Sequence, residues 1–248
     1  MQANRFNVYE HKNQAVREAY AMLTANIHIS DSQNGLKTFA LTSCNPKEGK
    51  TSLAISLSIA IAHAGWNVLL IDADMRKPIA AKRLNVGSEL GLSDYLEGNV
   101  KLYEVLRKTN ITNFTYCSCG NENLNPVRLL CSARFKELVG KVRNDYDMVL
   151  FDTPALCSVG DGAIIASKVD ATLLAVKVGL TTLTSLERVK EQLEKLNVNV
   201  LGVVLNKVKK RDYKIHFRSY NYFFNSNRFL KNRKVKNLDL HRGHTSQM

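Results

Sequence analysis

The 248-residue sequence has few prolines, five scattered cysteines and no long apolar run. Its most apolar stretch, residues 53–64, is twelve residues long and includes two serines and a histidine. A bilayer-spanning helix needs about 20 residues, so no transmembrane segment is expected. The N-terminal residues lack the apolar core of a signal peptide, and the cysteines are therefore expected to be free thiols. These absences predict a cytoplasmic protein without a disulfide framework.

The composition is otherwise typical of a globular protein, with 45% hydrophobic and 23% charged residues. This excludes global disorder, a collagen-like chain and a coiled coil. A chain of this length forms one large domain or two small ones, and it buries a core without disulfide or metal support.

Positive charge is concentrated at the C-terminus. The formal net charge is +13, and residues 207–248 hold twelve Lys and Arg against two Asp. The same segment contains Tyr213, Tyr220 and Tyr222. A solvated extension, an anionic membrane surface, a nucleic acid and a role as substrate are all compatible with this composition.

Predicted strands and helices alternate along the chain. Apolar strands are predicted at residues 37–43, 67–72, 113–116, 147–152, 171–178 and 198–206. Helices are predicted at residues 13–29, 49–64, 78–84, 132–142 and 181–196, with a helical turn inside 87–98. This alternation predicts a three-layer α/β/α domain with a mostly parallel sheet, whose ligands bind at the carboxyl ends of the strands.

Residues 44–51 follow a predicted strand and open a predicted helix, which is the context of a P-loop. Loop amides would surround a phosphate, Lys50 would neutralise its charge, and the Thr51 hydroxyl would bind Mg²⁺. The strict pattern requires Gly where Cys44 stands, so a chance Gly-Lys-Thr before an amphipathic helix is the alternative. The predicted nucleotide-binding residues are Asn45, Pro46, Lys47, Glu48, Gly49, Lys50, Thr51, Ser52 and Asn206.

Carboxylates follow two other predicted strands. Asp72 and Asp74 could orient a metal or water, or accept a hydroxyl proton, while Asp152 could reach Mg²⁺. Each motif alone is also compatible with ordinary strand ends and helix caps. Together, and in this order, they predict Mg²⁺-nucleotide binding with phosphoryl transfer or hydrolysis. The predicted metal ligands are Thr51, Asp72 and Asp152, and the predicted catalytic residues are Lys50, Asp72 and Asp74.

Residues 42–78 resemble the catalytic domain of bacterial tyrosine kinases, and the Met-Arg-Lys-Pro continuation at 75–78 is fairly specific. The resemblance continues at residues 91–98, 125–130, 151–154 with Asp161, and 201–206, and covers about residues 10–208. It makes Lys50 and Thr51 the Walker A pair, Asp72 and Asp74 the second Walker motif, and Asp152 the Walker B residue.

The resemblance implies a tyrosine kinase that uses ATP and Mg²⁺ and regulates capsular or exopolysaccharide synthesis and export. It implies autophosphorylation at the tail tyrosines Tyr213, Tyr220 and Tyr222. The implied partners are a membrane-embedded adaptor, which recruits the kinase to the inner face of the membrane, and polysaccharide-biosynthesis proteins as substrates. We expect an N-terminal helical segment (1–36), a kinase domain (37–208) and a basic, flexible tail (209–248).

Two departures from the family pattern keep alternatives open. The family's ring-forming Glu-x-x-Arg-x-x-Arg helix reads Glu18, Ala21 and Thr24 here, so homo-oligomeric ring contact competes with packing of this helix on its own domain. The family's tyrosine cluster lies close to the C-terminus, whereas here 26 residues without tyrosine follow Tyr222. Asn45 stands where partitioning ATPases have a signature Lys, which disfavours that class. The alternative functions are a partitioning-type ATPase switch that binds DNA or membrane through its tail, and a weakly catalytic nucleotide-binding scaffold.

Overall fold

The computed structural model describes residues 8, 10–11, 13–76, 90–121 and 125–209, without the side chains of residues 31–34. The predicted helix at 78–84 and the three tail tyrosines lie outside the described residues. The described residues divide into two compact units: those within 20–207 belong to the first, and those within 11–19 belong to the second. The sheet and the site described below belong to the first unit.

Seven strands form one sheet in the order β3-β4-β2-β5-β1-β6-β7. The strands are β1 (Thr38–Ser43), β2 (Val68–Asp72), β3 (Leu106–Lys108), β4 (Phe114–Cys117), β5 (Met148–Asp152), β6 (Ala171–Lys177) and β7 (Val200–Asn206). All neighbouring pairs are parallel except β3 and β4. This confirms the predicted mostly parallel sheet.

The helices are α1 (Gln14–Asn34), α2 (Lys50–His63), α3 (Leu92–Glu97), α4 (Leu102–Val105), α5 (Pro126–Leu130), α6 (Ala133–Asp145), α7 (Asp161–Ala166) and α8 (Leu183–Lys195). The long helices match their predictions within a few residues, although α1 runs five residues past its predicted end. Sequence periodicity misses α4, α5, α7 and β3, because elements of three to six residues are too short to show a period.

The central strands are buried on both faces. Alternate residues of β1, β2 and β5 contribute to two separate apolar clusters, which explains their nearly continuous apolar sequences. Phe39 and Leu150 belong to the cluster that includes α2, whereas Ala40 and Phe151 belong to the cluster that includes α6 and α7. The sheet is therefore the middle layer of three, as predicted.

The second half of α1 packs on its own domain. Ile27 is buried, and Tyr20 and Leu23 contact the same apolar cluster as α2. Thr24, where the family pattern has its second Arg, is buried, whereas Ala21 is exposed. Of the two alternatives for this helix, the described contacts support packing within the domain.

None of the helices in the described ranges combines the length and apolarity that a membrane crossing requires.

Candidate functional site

The site lies at the carboxyl edge of the sheet, where β2, β5 and β1 are adjacent. Asp72, the last residue of β2, pairs in register with Asp152, the last residue of β5. The loop at residues 44–49 leaves β1 next to them and enters α2. Parallel strands thus bring the three predicted motifs to one edge although the chain separates them by about a hundred residues.

The loop adopts a conformation that favours glycine at its end. Gly49 has φ 93° and immediately precedes α2, and Lys47 has φ 64°. A Cβ atom at Gly49 would lie 2.4 Å from Asn206 Nδ2, so both the backbone angle and the space require glycine there. The first turn of α2, with Lys50, Thr51 and Ser52, follows directly. A helix N-terminus with unpaired amides is a general anion site.

The Lys50 side chain contacts the residue that precedes the loop, Ser43. Its Nζ donates to Ser43 Oγ at 2.9 Å, and that hydroxyl donates to the Asn45 carbonyl at 2.7 Å. Burial lowers the pKa of Lys50, while nearby carboxylates, chiefly Asp152, oppose the shift. The ammonium group is thus poorly hydrated and faces acidic groups, which suits it to bind a phosphate and its metal.

Glu48 is fully buried inside the loop. Its carboxylate accepts hydrogen bonds from the Asn45 amide (3.1 Å), the Asn45 side chain (3.2 Å) and the Thr181 hydroxyl (2.5 Å). Asn206 Nδ2 donates to the Glu48 carbonyl at 2.9 Å, and Asn206 Oδ1 accepts from the Lys207 amide at 2.8 Å. Glu48 is therefore directed at the turn after β6, and Asn206 lies at the end of β7 beside Gly49.

Sequence reasoning missed Thr181. Its only signal is a polar residue shortly after a predicted strand, which is common in α/β proteins. It lies 133 positions from Glu48, so only the fold brings the two together.

Asp72 is buried at the end of β2, with 1% of its surface exposed. Its Oδ1 accepts from the Asp74 amide at 3.1 Å, whereas its buried Oδ2 has no hydrogen-bond partner among the described residues. Burial, and next the charge of Asp152, raise the pKa of Asp72 well above its usual range, although hydrogen bonds from the Asp74 amide and the Cys119 thiol act in the opposite direction. An acidic pair with an unpaired oxygen suits a divalent cation.

Arg76 ties the segment after β2 to α7. Its guanidinium donates to both oxygens of Asp161, at 2.7 and 3.0 Å, and the Asp161 side chain is 1% exposed. A bidentate pair of this kind restricts the direction of the chain after Asp74. The sequence identified Asp161 by resemblance alone, and the structure shows its partner.

Cys44 replaces glycine without strain. It is fully buried, and its backbone does not have a positive φ, so a side chain is tolerated there. Burial, with smaller effects from Glu48 and Cys157, raises the pKa of its thiol to about 11. Cys44 is therefore a neutral, small, apolar residue at physiological pH.

Comparison with known proteins shows which families and relatives this chain resembles. The family of CobQ/CobB/MinD/ParA nucleotide-binding domains matches residues 39–235. The tyrosine-protein kinase CpsD of Streptococcus agalactiae is 35% identical over 192 residues, which is 77% of this chain and 83% of that protein.

Solved structures of other proteins have the same fold. The kinase domain of the Escherichia coli tyrosine kinase Etk superimposes with a TM-score of 0.76 at 32% identity, over 79% of this chain and 76% of that one. The septum site-determining protein MinD of Pyrococcus horikoshii, complexed with Mg-ADP, shares the fold with a TM-score of 0.59 at 24% identity, over 71% of this chain and 73% of its own.

Proposed function

Because the chain belongs to the CobQ/CobB/MinD/ParA nucleotide-binding family and, within it, to the bacterial tyrosine kinases, we propose that it is an ATP-dependent protein-tyrosine kinase. Its role is to phosphorylate tyrosines of its own C-terminal segment and to regulate capsular or exopolysaccharide synthesis and export. The observation that carries the proposal is the meeting of Lys50, Asp72 and Asp152 at one sheet edge, in a chain 35% identical to a tyrosine kinase.

ATP and Mg²⁺ fit the residues present. Gly49, with its positive φ, places the loop directly before the N-terminus of α2, whose unpaired amides can bind a phosphate. The unpaired Asp72 Oδ2 is an oxygen acceptor that a cation can use. Thr51, Asp72 and Asp152 would hold the metal, which neutralises charge on the phosphates when it is bound.

The proposed chemistry is in-line transfer of the γ-phosphoryl group. A bond forms between the tyrosine oxygen and the γ-phosphorus as the bond from that phosphorus to the β,γ-bridging oxygen breaks. The tyrosine proton passes to the carboxylate of Asp72 or Asp74. Lys50 and the amides of the loop and α2 stabilise charge on the phosphates.

The proposed acceptors are Tyr213, Tyr220 and Tyr222. Within the described part of the chain, Tyr95 and Tyr116 are buried and Tyr20 and Tyr146 are half-buried, whereas Tyr103 is 68% exposed. The choice of the tail tyrosines therefore rests on the family resemblance, and Tyr103 is the described tyrosine that phosphosite mapping should also cover.

The proposed partners act at the membrane. A membrane-embedded adaptor would activate the kinase and recruit it to the inner face of the cell membrane. Twelve basic residues at 207–248 would add attraction to anionic lipids. Polysaccharide-biosynthesis proteins are the proposed exogenous substrates. Self-association is a further proposal, and it would have to use contacts other than the family's two Arg, because Ala21 and Thr24 stand at those positions.

The test is phosphosite mapping by mass spectrometry after incubation with Mg-ATP and the adaptor. The wild type should acquire phosphotyrosine in the tail, and Lys50→Met should lose at least about 100-fold of the signal, because one phosphate-binding charge is removed. The triple variant with Tyr213, Tyr220 and Tyr222 changed to Phe should still bind ATP but lose tail phosphorylation. ATP hydrolysis by the wild type without any phosphotyrosine would overturn the kinase proposal.

A further inference from the structure

Glu48 is an acidic residue of the loop whose carboxylate contacts other protein groups. Its carboxylate is fully buried and is occupied by three donors, two from Asn45 and one from Thr181. The Asn45 bonds are local, since they close the loop on itself. The Thr181 bond is long-range, and it connects the loop to the turn that follows β6.

The Thr181 hydroxyl is oriented by its second contact. It accepts a hydrogen bond from the Lys177 amide at 3.1 Å, at the last residue of β6. A hydroxyl has one donor, and that donor is therefore directed to Glu48 Oε1. The Asn206 side chain makes a parallel connection from the end of β7 to the Glu48 carbonyl. The turn after β6 and the last residue of β7 thus contact the same loop residue.

The loop needs such support. Lys47 has a positive φ although it has a side chain, and such a conformation persists only where surrounding contacts enforce it. The loop must also keep its amides directed at one point before the nucleotide arrives. Affinity rises when this ordering is already in place.

We propose that Thr181 is a positioning residue for the phosphate loop: acting through Glu48, its hydroxyl holds residues 45–49 in the conformation that binds ATP. The inference deepens the proposed function, because it takes ATP as the nucleotide. It assigns a nucleotide-binding role to a residue outside every sequence motif of the site. The role differs from stabilising the turn alone, because a turn-stabilising hydroxyl would act on unfolding and not on ATP affinity.

The experiment compares Thr181→Val, Thr181→Ser and a matched control. Valine keeps the shape of threonine and removes the hydroxyl, whereas serine keeps the hydroxyl. The control is Thr172→Val on β6, the strand that precedes Thr181, because the Thr172 hydroxyl is buried and has no hydrogen-bond partner among the described residues. The dissociation constant of Mg-ATP is measured by titration calorimetry on the full chain, alongside KM, kcat and the unfolding temperature.

Thr181→Val should raise the dissociation constant and KM for ATP about tenfold, as expected for loss of a hydrogen bond to a carboxylate. At saturating ATP, kcat should stay within about twofold, because Thr181 does not contact the reacting atoms. Thr181→Ser and Thr172→Val should both bind ATP within about twofold of the wild type. Equal affinity of Thr181→Val and Thr172→Val would overturn the proposal.

A double-mutant cycle with Glu48→Met, which removes the acceptor oxygens and keeps an unbranched side chain, tests the route. If Thr181 acts through Glu48, adding Thr181→Val to Glu48→Met should change ATP affinity by less than about twofold. Full additivity would overturn the route through Glu48. A wild-type protein that binds no ATP would instead refute the proposed function. Tight binding by the wild type with no effect at Thr181 would refute only the inference made here.

Discussion

At the scale of single residues, the site concentrates buried charge. Asp72 is buried in register with Asp152, and Lys50 is the cation that faces them. Removing a carboxylate from water costs free energy that only a nearby cation or hydrogen bonds offset. The absence of a partner for Asp72 Oδ2 among the described residues indicates that part of this cost is uncompensated without nucleotide and metal.

Neutralising Asp72 should therefore stabilise the protein when no ligand is present. Asp72→Asn removes one of two adjacent buried charges and supplies an amide that can donate toward Asp152. We expect its unfolding temperature without ATP and Mg²⁺ to rise by about 2–6 °C, or about 1–2 kcal/mol, while phosphotyrosine formation is lost. Thermal unfolding followed by circular dichroism measures this. Asp74→Asn is the control and should shift less, because Asp74 is half-buried; a fall in unfolding temperature for Asp72→Asn would contradict the argument.

At the scale of elements, the backbone conformation at the start of α2 determines how the predicted phosphate loop enters the helix. The helix begins directly after Gly49, whose positive φ turns the chain from the loop into the helix axis. The neighbouring contact with Asn206 then couples this turn to the end of β7. One glycine thus satisfies a backbone requirement and a packing requirement together.

These two requirements can be separated with a second glycine. Gly65 ends the same helix region with φ 95°, but a Cβ atom there meets nothing within 4 Å. Gly65→Ala should cost about 1 kcal/mol through the backbone angle alone and leave ATP affinity unchanged. Gly49→Ala should cost more, because Asn206 must move, and should weaken ATP binding at least about tenfold. Denaturant unfolding and ATP titration of both variants provide the comparison, and equal effects on ATP affinity would refute a steric role for Gly49.

At the scale of the whole molecule, a stabilising carboxylate and the predicted active site lie at opposite ends of the strands. Asp72 and Asp152 are at the carboxyl ends, and Asp170 is at the amino ends. Asp170 precedes β6 at the amino edge, where its Oδ2 accepts from the Lys37 amide (2.8 Å), the Thr38 amide (2.9 Å) and the Thr38 hydroxyl (2.9 Å). Arg143 of α6 donates to Asp170 at 3.2 Å and to the Gly35 carbonyl at 2.7 Å. Segments more than 130 positions apart are joined by this one carboxylate.

Asp170 should make stability sensitive to acid. Burial raises the pKa of this carboxyl, but the Lys37 and Thr38 hydrogen bonds and the Arg143 charge outweigh that effect, so its pKa is lowered. The unfolded chain then takes up the proton more readily than the folded protein. The stabilisation is complete above the ordinary Asp pKa, about 3.9, and is lost as the pH falls through the lower folded value.

The variant Asp170→Asn should lose about 2 kcal/mol of unfolding free energy at pH 7. Its deficit relative to the wild type should stay constant between about pH 7 and 5 and shrink below about pH 4. Urea unfolding across this range measures the deficit. The exposed Asp145, changed to Asn, serves as the control and should show no such pH dependence. A deficit for Asp170→Asn that persists at pH 3 would contradict the assignment.

The sequence by itself determined the alternation of strands and helices, the three motifs and their order along the chain. These features are local, since strand burial, helix periodicity and the glycine of the loop are each set within about ten residues. Because parallel strands end at one edge, the order of motifs was sufficient to predict that Lys50, Asp72 and Asp152 would meet.

Only the tertiary structure decided which distant side chains become partners, both at that site and at the opposite end of the strands. The contacts of Thr181 with Glu48, of Arg76 with Asp161 and of Asp170 with Thr38 join residues 133, 85 and 132 positions apart. Each uses residue types that are common in turns and at strand ends, so no local pattern marks them. They become partners because strand order and register bring distant segments together, and that arrangement depends on the packing of the whole sheet.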